Sequence, residues 1–106
     1  MTSLASEHPV EYPKGTSPLS DDETKELTAE VQGWELRDGK LGRDFEFKDF
    51  NEAFGFLSRV ALLAEAESHH PDISNSWNRV KLEFWTHTAE GLTRNDFIMA
   101  AKINGF

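Results

Sequence analysis

The sequence predicts an α+β domain, a four-stranded antiparallel sheet with helices packed on one face, in the order α-β-β-α-β-β-α. Three observations carry this expectation. Two segments alternate apolar and polar residues and each holds a turn signal. Stretches with apolar residues three and four apart lie before, between and after them. Paired strands separated by helices imply α+β rather than a parallel sheet. With 106 residues, the chain is one domain, expected over residues 20–106, preceded by an irregular, loosely packed extension over residues 1–19.

That extension holds three of the four prolines and shows no periodicity. Its His8 reads as a solvated surface residue. Ser20 offers an N-cap, and Asp21, Asp22 and Glu23 fill the first turn, where carboxylates favour the positive end of the helix dipole. A helix over Asp21–Val31 follows, with Leu27 and Val31 one turn apart and Gly33 as its stop. Trp34-Glu35-Leu36 then alternates, Asp38-Gly39 is a two-residue hairpin signal, and Leu41–Phe47 returns with Phe45 and Phe47 on one face.

Asp49 or Asn51 caps the next element. Phe50, Ala53, Phe54, Leu57, Val60, Ala61 and Ala64 fall at helical spacing, predicting a helix over Phe50–Ser68 that supplies most of the core. Pro71 forbids its continuation and pushes His70 toward an extended backbone, leaving His69 at the helix end. A strand over Ile73–Trp77, a turn at Asn78-Arg79 and a strand over Val80–Thr88 form the second hairpin. Val80, Leu82, Phe84 and Thr86 share one face of it; Lys81, Glu83, Trp85 and His87 share the other. Thr93 and Asp96 resemble a capping box opening the last helix, whose Phe97, Met99, Ala100, Ala101 and Ile103 give it a broad apolar surface up to Gly105.

Charge and composition narrow the function. The formal net charge is −8, so neither a phosphate backbone nor an anionic membrane surface is the expected partner. No apolar run reaches the roughly 18 residues of a membrane span. The first residues have neither a basic start nor an apolar centre, so no secretory signal is expected and the cytoplasm is the default. There is no cysteine, hence no thiol nucleophile or thiolate metal site. No serine sits in a nucleophile elbow and no glycine-rich loop offers a phosphate cradle.

The chemistry-bearing stretch is Glu65–Pro71, EAESHHP, together with His87 in WTHT. Histidine exchanges protons near neutral pH, so three histidines within one short span, beside a carboxylate, are candidates for acid–base work. Plainer readings compete. His69 or His70 can cap a helix C-terminus, worth roughly 0.3–1 kcal/mol as an imidazolium, and His87 alone reads as a half-exposed strand residue. Glu65, one turn before His69, either orients that ring or forms an exposed helix pair. Asp96 reads first as the capping-box acid. Trp34 either stacks on a flat ligand or packs in the core. A zinc site is not expected, because adjacent histidines do not match the i, i+4 spacing of helical ligand pairs.

Taken together, FEFKDFNEAFGFLSRVALLAE, the glutamate separated from HHP by three residues, WNRVKL, THT and GLTRNDF resemble the pterin-4a-carbinolamine dehydratase family, over about Gly33 to Ile103. The resemblance implies a four-stranded antiparallel sheet with helices on one side, and dehydration of 4a-hydroxytetrahydrobiopterin to quinonoid dihydrobiopterin after aromatic amino-acid hydroxylation, with no metal or redox cofactor. It implies His69 and His87 as the acid–base pair, His70 as a substrate-orienting residue, and Glu65, Trp34 and Asp96 as substrate-binding or supporting residues. It also implies a homodimer or homotetramer and an aromatic amino-acid hydroxylase as pathway partner. Ser68 stands where the family often has aspartate, Ile73 where it has an aromatic, and Trp77 where it has tyrosine. Animal members also serve as a dimerisation cofactor for a hepatocyte transcription factor through a helical surface, which would add a nuclear pool. An outward face of the main helix bearing Phe56 and Leu63 would serve such assembly, and that binding role is the alternative to catalysis.

Overall fold

The computed structural model describes residues 3–106; Met1 and Thr2, part of the expected extension, lie outside the described residues. Seven main elements follow in the expected order: α1 (Asp21–Thr28), β1 (Glu35–Arg37), β2 (Lys40–Glu46), α2 (Phe50–Glu67), β3 (Asp72–Ser76), β4 (Arg79–Phe84) and α3 (Arg94–Asn104). The strands form one antiparallel sheet in the order β1-β2-β4-β3.

Local chemistry explains most boundaries. Ser20 and Glu23 close a capping box on α1. Its last turn ends earlier than the spacing predicts, at Thr28, yet Val31 is still buried. Gly33 lies beyond the helix at φ +88°, with the Arg43 guanidinium 2.8 Å from where a Cβ would sit. Asp38 and Gly39 both have positive φ between the closing pair Arg37 and Lys40, as a twist-matched two-residue turn requires. The second hairpin turns at Trp77-Asn78, not Asn78-Arg79, because Arg79 already pairs with Ser76. Buried Asn78 pins that turn to the end of β2: its Nδ2 donates to the Phe47 carbonyl and its own carbonyl accepts from the Phe47 N–H.

The core lies between α2, α3 and one face of the sheet. Val80, Leu82 and Phe84 are buried opposite Phe45, Arg43 and Leu41, and Phe97, Met99 and Ile103 of α3 close over them. On α2 the buried stripe is Ala53, Leu57, Val60 and Ala64. Its two flanks are exchanged relative to the expectation. Phe50 and Phe54 are about half exposed and Ala61 is exposed, whereas Phe56 and Leu63 pack against the core. With about 100° per residue, both flanks border the stripe equally. Phe45 and Phe47 decide between them, meeting the Phe56 ring at centroid distances of 4.6 and 5.0 Å.

Residues 3–19 are irregular apart from a 3₁₀ turn at Leu4–Ser6, but they are not loosely packed. They form a strap along α3. Leu4 is buried in the core, and the Ala5 carbonyl accepts from Lys102 Nζ. Arg94 donates two hydrogen bonds to the Glu7 carboxylate, at 2.7 and 2.6 Å. The Asn95 side chain clamps Val10, accepting from its N–H at 3.0 Å and donating to its carbonyl at 2.6 Å. His8, expected to be free, keeps a mostly exposed ring but meets Glu67 at 3.0 Å.

The Arg94 hydrogen bonds hold the Glu7 carboxyl below its ordinary value. A lowered folded value means the strap contact is complete above the unfolded carboxylate pKa, about 4.3, and is lost as pH falls through the lowered value. The Val10 amide resonance of the native protein should therefore titrate with a midpoint below about 4.3, and Glu7→Gln should show the acid-form shift at neutral pH. A midpoint at or above the free value would show that the clamp does not hold the strap.

Candidate active site

Helix α2 ends in a Schellman arrangement. Ser68 adopts the left-handed conformation (φ 54°, ψ 37°), its N–H reaches the Glu65 carbonyl, and the His69 N–H reaches back to the Ala64 carbonyl. This turn sends the two imidazoles to different carboxylates. His69 Nε2 lies 2.6 Å from Asp96 Oδ1, and His70 Nε2 lies 2.6 Å from Glu65 Oε1. Glu65 thus orients His70 rather than His69, its expected partner one turn on, because the chain has left helical geometry between them.

Asp96 is fully buried. A buried carboxylate is costly unless every lone pair is used. Its Oδ2 accepts from the Thr93 backbone N–H at 2.9 Å and from the Thr86 hydroxyl at 2.9 Å, while Thr86 and Thr93 hydroxyls lie 2.7 Å apart. Its Oδ1 faces His69. One oxygen of this group thus closes the capping box while the other meets an imidazole of the histidine stretch. Because a carboxylate only accepts, His69 carries its hydrogen on Nε2, leaving Nδ1 as the free ring nitrogen. The His69 ring lies nearly parallel to Phe84, 5.8 Å between centroids, and its side chain is 13% exposed.

His87 reaches the same region by a different route from the long strand expected. Strand β4 stops at Phe84; Thr86 makes a single bridge to Gly91, and His87–Ala89 form a 3₁₀ turn closed by Glu90 in the left-handed region. Thr86 is buried and His87 exposed. The His87 ring leans on Trp85, 4.2 Å between centroids, and its nitrogens have no hydrogen-bond partner among the described residues. His69, His70 and His87 line one cleft of about 410 Å³, within the range of small-molecule sites. Three further walls were not visible in the sequence: Thr86, which holds Asp96; Trp85, which backs His87; and strap residues Val10, Glu11 and Tyr12. The burial of Thr86 follows the alternation through Val80, Leu82 and Phe84, which continues past the end of β4, but its bond to Asp96 does not show there; the strap carries no periodic signal.

Trp34 does not line this cleft. It is buried, its indole N–H donates to Asn104 Oδ1 at 2.9 Å, and it touches the site only through Phe84, 5.8 Å away. Among the described residues, no three His, Asp or Glu side chains converge to share an ion.

If the Asp96–His69 contact organises both fold and site, the two residues must be energetically coupled. A double-mutant cycle of His69→Ala and Asp96→Asn, read by urea unfolding, should give a coupling of about 0.5–3 kcal/mol. Additive effects would mean that the short contact contributes nothing.

The model of the family described as pterin 4 alpha carbinolamine dehydratase matches residues 17–106. A Chlorobium limicola protein assigned as a pterin-4-alpha-carbinolamine dehydratase is 50% identical over 93 residues, covering 84% of this chain and 82% of its own. A Rubrobacter xylanophilus protein with the same assignment is 41% identical over 105 residues, 98% of each chain. The crystal structure of a Brucella melitensis protein described as a transcriptional coactivator/pterin dehydratase superposes with a TM-score of 0.80 at 40% identity, covering 84% of this chain and 97% of that one.

Proposed function

This chain belongs to the pterin 4 alpha carbinolamine dehydratase family, and from that premise we propose that it dehydrates 4a-hydroxytetrahydrobiopterin to quinonoid dihydrobiopterin by metal-free histidine catalysis. The observation that carries the proposal is the pair of differently prepared imidazoles in one cleft: His69, fixed by buried Asp96, and His87, free of polar partners and backed by Trp85.

The reaction breaks the C4a–O bond and forms a C4a–N5 double bond. One proton goes to the departing oxygen, which leaves as water, and one comes off N5. No electrons are exchanged with a second reagent, so two proton carriers suffice. His69 and His87 are those carriers in this reading. His70, held by Glu65, orients the ring of the substrate. Trp34 supports the site through Phe84 rather than by touching substrate. Ser68, at the left-handed turn, determines how the two rings diverge.

The same reading places the enzyme in tetrahydrobiopterin recycling in the cytoplasm, downstream of an aromatic amino-acid hydroxylase, as a homodimer or homotetramer. Exposed Phe50, Phe54 and Leu62 on α2 support assembly through that helix. No helix of the described residues is long and apolar enough to cross a membrane. A dimerisation-cofactor role for another protein is the second reading, supported by that same exposed face.

With chemically generated 4a-hydroxytetrahydropterin, His69→Ala and His87→Ala should each lower kcat by about 10²–10⁴-fold, while chelator-treated native protein keeps its rate. His70→Ala should act mainly on KM. A native protein no faster than the uncatalysed reaction would leave the binding role as the function, and loss of activity on chelation would refute the metal-free route.

A further inference from the structure

We propose that Glu11, carried on the N-terminal strap, recognises the donor edge of the pterin ring and sets a preference for a 2-amino pteridine. The inference rests on the pterin reading of the histidine cleft and adds a specificity residue to it. The strap precedes the residues matched by the family pattern, which begin at position 17. Nevertheless Val10, Glu11 and Tyr12 form one wall of the cleft that holds His69, His70 and His87.

Two features fit Glu11 for this role. The first is position. The Asn95 side chain grips both backbone polar groups of Val10, so the residue beside it is held against the cleft, and Asn95 is adjacent to Asp96. The second is availability. Asp96 is occupied by His69, Thr86 and Thr93, Glu65 by His70, and Glu67 by His8 and Lys102. Among the described residues, the Glu11 side chain has no hydrogen-bond or ion-pair partner, and it is exposed at the cleft.

The substrate ring supplies what such a group lacks. Its 2-amino group and N3–H are two parallel donors, spaced like the two oxygens of a carboxylate, the geometry that makes paired charge-assisted hydrogen bonds selective. This edge lies across the pyrimidine ring from C4a and N5, where protons move. Glu11 therefore acts in recognition, and the histidines in the chemistry.

The test compares binding of oxidised pterin and of pteridine-2,4-dione, in which a carbonyl replaces the 2-amino group, by fluorescence titration of native protein and Glu11→Gln. Native protein should prefer the 2-amino ring by about tenfold, the scale of one charge-assisted hydrogen bond. Glu11→Gln should abolish or reverse the preference, since its amide can donate to the 2-oxo group, and should raise KM in the dehydration assay. Its thermal midpoint should match that of native protein, because the side chain is exposed. A full preference retained in Glu11→Gln, or none in native protein, overturns the role of Glu11 while leaving the pterin site standing. Native protein that binds neither ring overturns the pterin reading and this inference together.

Discussion

One buried carboxylate joins the parts of this molecule. Asp96 has no exposed surface, and leaving such a group unpaired would cost several kcal/mol. Its donors come from three places: the Thr93 N–H at the start of α3, the Thr86 hydroxyl two residues past the end of β4, and His69 just past the end of α2. Satisfying one side chain therefore fixes three chain segments against each other. The same hydrogen bond that completes the satisfaction of Asp96 sets the tautomer and direction of His69. Folding and preparation of the site are one event at this point.

Around that joint the site is built from unlike surroundings. His69 is mostly buried between Phe84 and Asp96, His70 is open to solvent with Glu65, and His87 rests on Trp85. The strap completes the enclosure from the far end of the sequence, and its anchors on Arg94 and Asn95 sit in the first turn of the helix that Asp96 caps. Helix α3 thus holds the strap with one part of its first turn and the His69 imidazole with another.

Much of the architecture was readable from local pattern. The hairpin at Asp38-Gly39, the alternation through Val80, Leu82 and Phe84, and the Thr93–Asp96 capping box depend on neighbours close in sequence. What failed depends on distant partners. The Asp96–His69 contact spans 27 positions, so no spacing rule reveals it. Glu65 pairs with His70 because Ser68 turns left-handed, a choice that no periodicity encodes. Helical spacing treats the two flanks of α2 alike, and only packing of Phe56 on Phe45 and Phe47 separates them. The strap was invisible for a related reason: it is held by side-chain bonds to backbone groups, not by an apolar repeat.

The central claim is that Asp96 fixes His69 with its hydrogen on Nε2 and Nδ1 free for substrate. Nitrogen-15 NMR of the neutral His69 ring in the ligand-free protein tests it directly. The account predicts a protonated Nε2 whose proton resonates far downfield and disappears in Asp96→Asn, beside an unprotonated Nδ1. A ring protonated on Nδ1, or one exchanging freely between tautomers, would contradict it.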